Sequence, residues 1–204
     1  MKKVSSFILI AAVCVMQSCG SGTENKDSTD SAKSVNSERD TSSIMSSDTN
    51  KSNANTGTGL PVDKDVADFA VKAASGGMME VELGKLAQQK AVSQRVKDFG
   101  AMMEKDHSQA GDELKKLAAS KNIAIPGTPD DDTKKQIDNL SKKPGKDFDK
   151  AYMSMMLDDH KKDVKEFQKA ASDLKDADVK AFASNTLPTL QKHLDSAIAI
   201  TGKK

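Results

Sequence analysis

Phe99-Gly100-Ala101-Met102-Met103-Glu104-Lys105-Asp106-His107 is written a second time as Tyr152-Met153-Ser154-Met155-Met156-Leu157-Asp158-Asp159-His160. An aromatic ring, a Met pair and an Asp-His pair recur at identical offsets, and each copy has an apolar residue seven positions after its histidine (Leu114, Phe167). Offsets of three, four and seven place side chains on one face of an α-helix. Two helices are therefore expected to present the same groups to one place.

The periodicity extends outward from both copies. Val92, Val96, Phe99, Met103, His107, Ala110, Leu114 and Leu117 form one stripe; Phe148, Tyr152, Met156, His160, Val164, Phe167 and Ala171 form another. Before them run Val66, Phe69, Ala73, Gly76, Glu80, Leu83 and Ala87, and after them Val179, Phe182, Thr186, Leu190, His193, Ala197 and Ile200. Each is an apolar stripe at helical spacing, and no stretch alternates as a strand would. The gap near Ala91 to Ser93 is too short for anything but an antiparallel hairpin, and Asp173 to Asp178 makes a second tight turn. Between the hairpins, Pro126, Gly127 and Pro129 break the pattern, and Asp130 to Leu140 has room for a short extra helix before Pro144-Gly145. The expected fold is all-α: an antiparallel four-helix bundle of two long hairpins joined by a linker.

This domain should occupy residues 61–204. Residues 1–19 read as a signal peptide. Met1-Lys2-Lys3 is a basic start, and Phe7 to Met16 is an apolar run too short to span a bilayer. Ser18-Cys19-Gly20 after it resembles a lipobox, with Met16 where an aliphatic residue is usual, so Cys19 is the expected lipidation site. The expected location is the bacterial cell envelope, with the membrane as partner through a double acyl anchor. Residues 20–60 are Ser, Thr, Asn, Asp, Lys and Gly with few apolar side chains, a composition expected to form a disordered tether without function.

Composition excludes several classes. Both cysteines lie in the signal, so the domain has no disulfide framework and no thiolate site. The net charge is +1, Lys is scattered, Trp is absent and Tyr152 stands alone, which argues against nucleic acid as partner. No Ser-His-Asp or Cys-His arrangement stands out for catalysis. No protein partner can be named.

The chain has only three histidines, and His107, His160 and His193 all interrupt apolar stripes, as does Glu80. Buried charges need compensation. Mutual pairing would supply it, with Glu80 on one histidine and Asp106 and Asp159 orienting the others. A metal would supply it equally. Di-iron carboxylate bundles use a Glu from each of two helices and Glu-x-x-His from the other two. Glu80 and Glu104-x-x-His107 match, but Leu157 and Leu190 stand three before His160 and His193, so a full di-iron site is not expected. Met103 and Met156, each four before a histidine, offer a thioether beside an imidazole, which suits Cu(I). The Met residues also serve simply as adaptable core filler. The candidate metal set is Glu80, Glu104, His107, His160 and His193, with Met103 and Met156 if the ion is copper, and copper or iron the candidate cofactor. Two functions stay open: a non-catalytic interaction or stress-related envelope module, or a metal-binding module.

Phe69 with Gly76-Gly77, Glu80-x-x-Gly84-x-Leu86-Ala87, and Val96-Lys97-x-Phe99 with Met103-x-x-Asp106-His107 resemble the first half of the ferritin-like family of unknown function number 4142. Phe148-Asp149-x-x-Tyr152, Met156-x-x-x-His160, Phe182 and Leu187-Pro188-x-Leu190-x-x-His193-Leu194 resemble its second half. The resemblance covers Pro61 to Thr201. It implies a ferritin-like bundle in an exported bacterial protein, with Glu80, His107, His160 and His193 as signature positions and no established activity.

Overall fold

The computed structural model describes residues 27–39 and 62–203. The signal and lipidation expectations, and most of the tether, lie outside the described residues. Six helices and no strand occur among the described residues: α1 (Ser28–Glu38), α2 (Lys64–Lys90), α3 (Gln94–Ser120), α4 (Asp131–Ser141), α5 (Gly145–Asp173) and α6 (Ala177–Thr201). No described helix is long and apolar enough to cross a membrane.

Local chemistry sets the helix ends. Asp63, Asp130 and Asp176 cap α2, α4 and α6 by accepting backbone N–H groups of the first turn. Gly202, at φ 67°, closes α6 in the left-handed conformation that an L side chain resists. Ser93 starts α3 without a side-chain cap. Asp149 of α5 takes over, accepting Val92 N–H at 3.1 Å and Ser93 N–H at 2.9 Å. A buried carboxylate thus pins the α2–α3 turn to the start of α5.

That contact fixes the topology. The α2–α3 turn and the N-terminus of α5 share one end of the bundle, while Ile123 packs with Val66, Leu174 and Val179 at the other. The helices run up, down, down, up, so α3 and α5 are parallel, and residues 121–144, with α4, cross back along the bundle. A single long crossover of this kind is the ferritin-like connection. Two apolar clusters fill the interior. One holds Phe69, Leu114, Phe167 and Phe182; the other, towards the α2–α3 turn, holds Phe99, Met103, Phe148, Tyr152 and Met156.

The expectation of a tether through residue 60 requires correction at α1. Asp27 caps it, accepting from Thr29 and Asp30 N–H, and Ala32 and Asn36 are buried. The Asn36 side chain donates to the Ala124 carbonyl at 2.8 Å and accepts from Ala124 N–H at 2.7 Å. Ser28 bonds the Thr128 carbonyl at 2.6 Å and Arg39 the Asn122 carbonyl at 2.7 Å. The segment has too little apolar area to form a core. It docks instead by satisfying the backbone groups of the crossover, a polar mechanism that hydropathy does not register.

A candidate three-histidine metal centre

Glu80, His107, His160 and His193 stand near the middle of α2, α3, α5 and α6, between the two apolar clusters, and none is more than 7% exposed. The three imidazole centroids form a triangle with sides of 5.2, 5.2 and 5.6 Å. The stripe interruptions of the sequence meet in one place. Glu80 meets His107, which lies about one helical turn farther from the α2–α3 turn than Glu80 does. Long side chains lean towards the N-terminus of their helix, which carries the Glu80 carboxyl away from the turn.

The hydrogen bonds assign the ring protons. His160 Nδ1 lies 2.9 Å from the Met156 carbonyl, which can only accept, so Nδ1 carries hydrogen and Nε2 carries a lone pair. His107 Nδ1 donates to Glu80 Oε2 at 2.9 Å, leaving Nε2 as its lone pair; that atom is buried and has no hydrogen-bond partner. His193 Nε2 donates to Asp106 Oδ2 at 3.0 Å, which leaves its Nδ1 as lone pair. His193 Nδ1 and His160 Nε2 then face each other at 3.3 Å with no proton between them.

Burial keeps these rings neutral. It lowers His107 to about 4, against the pull of Asp163 and Asp106, and His193 to about 4, against its bond to Asp106. Burial also lowers His160, opposed by Glu80. The same desolvation raises Glu80, against the pull of His160 and a hydrogen bond with Asp163, and raises the neighbouring Asp163, which the Glu80 charge raises further. Neutral imidazole is the form that binds metal.

One ring nitrogen from each histidine lies within 4.8 Å of the other two. A tetrahedral ion with bonds of about 2.0–2.1 Å has ligand–ligand edges of roughly 3.3–3.4 Å, and the His160–His193 separation of 3.3 Å is such an edge. Metal-bound histidines almost always donate their other N–H to a carboxylate or a backbone carbonyl, which fixes the tautomer. All three do so here, through Glu80, Met156 and Asp106.

Other candidates fall elsewhere. Glu104 is half-buried and accepts from Gln88 at 2.6 Å, outside the triangle. The Glu-x-x-His spacing puts Glu104 on the same face as His107, but its side chain turns to Gln88 instead of the rings. Met103 and Met156 are fully buried in the second apolar cluster, as core filling requires. Asp159 does not reproduce the role of Asp106: its Oδ1 lies 3.5 Å from Lys162, and its buried Oδ2 has no hydrogen-bond partner. Sequence reasoning missed Asp163, which groups with Glu80 and His160 within 4.8 Å. Its position three after His160, on the same face, was the available signal.

Against known proteins, no functionally curated protein matches the chain. Among solved structures, a DUF305 fragment from Deinococcus radiodurans matches with a TM-score of 0.58 at 11% identity, covering 67% of this chain and 95% of that one. At that identity the likeness concerns the helical fold alone. The family described as "Domain of unknown function (DUF4142)" matches residues 51–200, most of the chain, and the chain belongs to that family.

Proposed function

We propose that this chain is a metal-binding module of the bacterial cell envelope, holding one first-row transition-metal ion on His107, His160 and His193. The observation that carries the proposal is the convergence of three buried imidazoles, one ring nitrogen of each within 4.8 Å of the others and His107 Nε2 without a hydrogen-bond partner, each ring held by a separate acceptor. Imidazole donors suit zinc, copper and iron. With Glu80 and Asp106 engaged in orienting rings, the nitrogen-only donor set favours Zn(II) or copper over iron. The role is binding and holding an ion. Envelope localisation and a lipid anchor on Cys19 rest on the N-terminal sequence, and a Cys19→Ser variant that still incorporates lipid would overturn the anchor.

The test is thermal unfolding of chelator-treated protein with and without added ion. An ion that binds only the folded state stabilises by mass action, about 2.7 kcal/mol at a hundredfold excess over Kd. Zn(II) or Cu(I) should raise Tm by several degrees, and the His107→Ala, His160→Ala double variant should stay helical and lose the response. An unchanged Tm with all of Zn(II), copper and Fe(II) would leave the cluster as a hydrogen-bonded core and support the alternative of a non-catalytic interaction module.

A further inference from the structure

Beside the histidine triangle lies a cavity of about 490 Å³ between α2, α3, α5, α6 and the crossover. Leu114, Ile125, Phe167, Phe182 and Leu190 form its apolar wall, and charged residues such as Glu82, Asp112 and Lys115 line it elsewhere. Gly76, Gly77 and Gly111 line it too, and a Cβ built on any of them meets nothing within 4 Å. One end is acidic. Glu80 and Asp163 both line the cavity, and Glu80, only 2% exposed, has an oxygen, Oε1, with no hydrogen-bond partner. Oε1 lies 3.5 Å from His160 Nδ1, whose proton is already given to the Met156 carbonyl. Lys72 lines the cavity as well, and it pairs with Glu166 at 3.4 Å.

A largely apolar chamber lined by one buried and one half-buried carboxyl asks for an occupant with an apolar body and a donor-rich, positively charged head. Two neighbouring carboxyls repel an anion, and an alcohol offers a single donor to a site with several acceptor positions. We propose that the cavity binds a small organic cation of the alkylamine class, its ammonium donating to Glu80 Oε1 and Asp163 and its chain lying along Phe167, Phe182 and Leu114. This site shares Glu80 with the metal centre but requires no metal.

Three probes with one tail separate the possibilities: hexylamine, hexanol and hexanoate, titrated calorimetrically into chelator-treated protein so that coordination to an ion contributes nothing. The amine should bind at least about tenfold more tightly than hexanol, as expected for a charge-assisted bond against a neutral one, and hexanoate should not bind. Gly111→Leu, which adds bulk at an exposed position of the lining, should weaken amine binding, and Asp163→Asn should weaken it about tenfold while hexanol binding is unchanged. Gly76→Leu serves as a second plug should Gly111→Leu lower the melting temperature. Equal binding of hexanol or hexanoate, no amine binding at millimolar concentration, or amine binding undiminished by both plugs would overturn the proposal. Retention of metal binding by Gly111→Leu would show that failure here leaves the three-histidine centre untouched.

Discussion

The two halves of the bundle interior use glycine in opposite ways. Near the α2–α3 turn, Gly84 and Gly100 bring two helices into backbone contact: a Cβ on Gly84 would lie 2.6 Å from the Gly100 carbonyl, and one on Gly100 2.7 Å from the Gly84 carbonyl. Around that crossing sit most of the largest fully buried side chains, including Tyr152, Phe148, Leu83 and Met103. Past the histidines, Gly76, Gly77 and Gly111 bring nothing together, and all three line the cavity. One half is packed for rigidity and the other is hollow, with the imidazoles on the boundary. A metal or ligand site is best placed there, where rigid elements hold its donors and an open chamber adjoins them.

The contrast can be broken by substitution. Gly84→Ala places a methyl against backbone that cannot move aside, and overpacking of this kind costs about 1–3 kcal/mol or more. Chemical denaturation should show a loss near the top of that range, outweighing the helix propensity gained. A neutral or stabilising Gly84→Ala would remove the tight half of the comparison.

The boundary is probed by pH. Because His107 and His193 sit at about 4 in the fold and near 6.5 when unfolded, the unfolded chain takes up their protons first. Their contribution to stability is full above about 6.5 and is lost as pH falls towards 4. Glu80 and Asp163, raised in the fold, act with the opposite sign and favour the folded state as pH falls. In nuclear magnetic resonance titration of apo protein, the His107 and His193 rings should remain neutral from pH 8 to about 5. Ring titration near 6.5 would show that the centre is wetter than its burial implies.

The smallest effect lies in the hollow half. Gly111→Ala meets no neighbour and replaces a mid-helix glycine, so it should stabilise by about 0.5–1 kcal/mol. A destabilisation larger than that would mean the cavity is smaller in solution.

Much of the bundle was legible because burial imposes a helical period: the stripes through Phe99 and Tyr152 located α3 and α5, and Pro126 to Pro144 located the crossover and α4. Glu80 and the three histidines were legible for the same reason, since each breaks an apolar stripe. What was not legible depends on distance rather than pattern. Gly84 and Gly111 look alike in sequence, yet one touches backbone and the other touches nothing. The docking of α1 rests on the two bonds of Asn36, which composition averages away. Asp163 reads as a solvated charge beside Lys161 and Lys162 until the fold turns it towards Glu80. Glu104 misled through its spacing from His107, which sets rotation about the axis but not what faces the side chain.

The central claim is that three imidazoles converge on one ion. X-ray absorption spectroscopy of the protein loaded with one equivalent of Zn(II), and separately of Cu(I), tests it most directly. The account predicts a first shell dominated by imidazole nitrogen at about 2.0–2.1 Å for zinc, with the outer-shell scattering that histidine rings produce. A first shell of carboxylate oxygen without imidazole scattering, or a principal sulfur contribution near 2.3 Å from methionine, would contradict it.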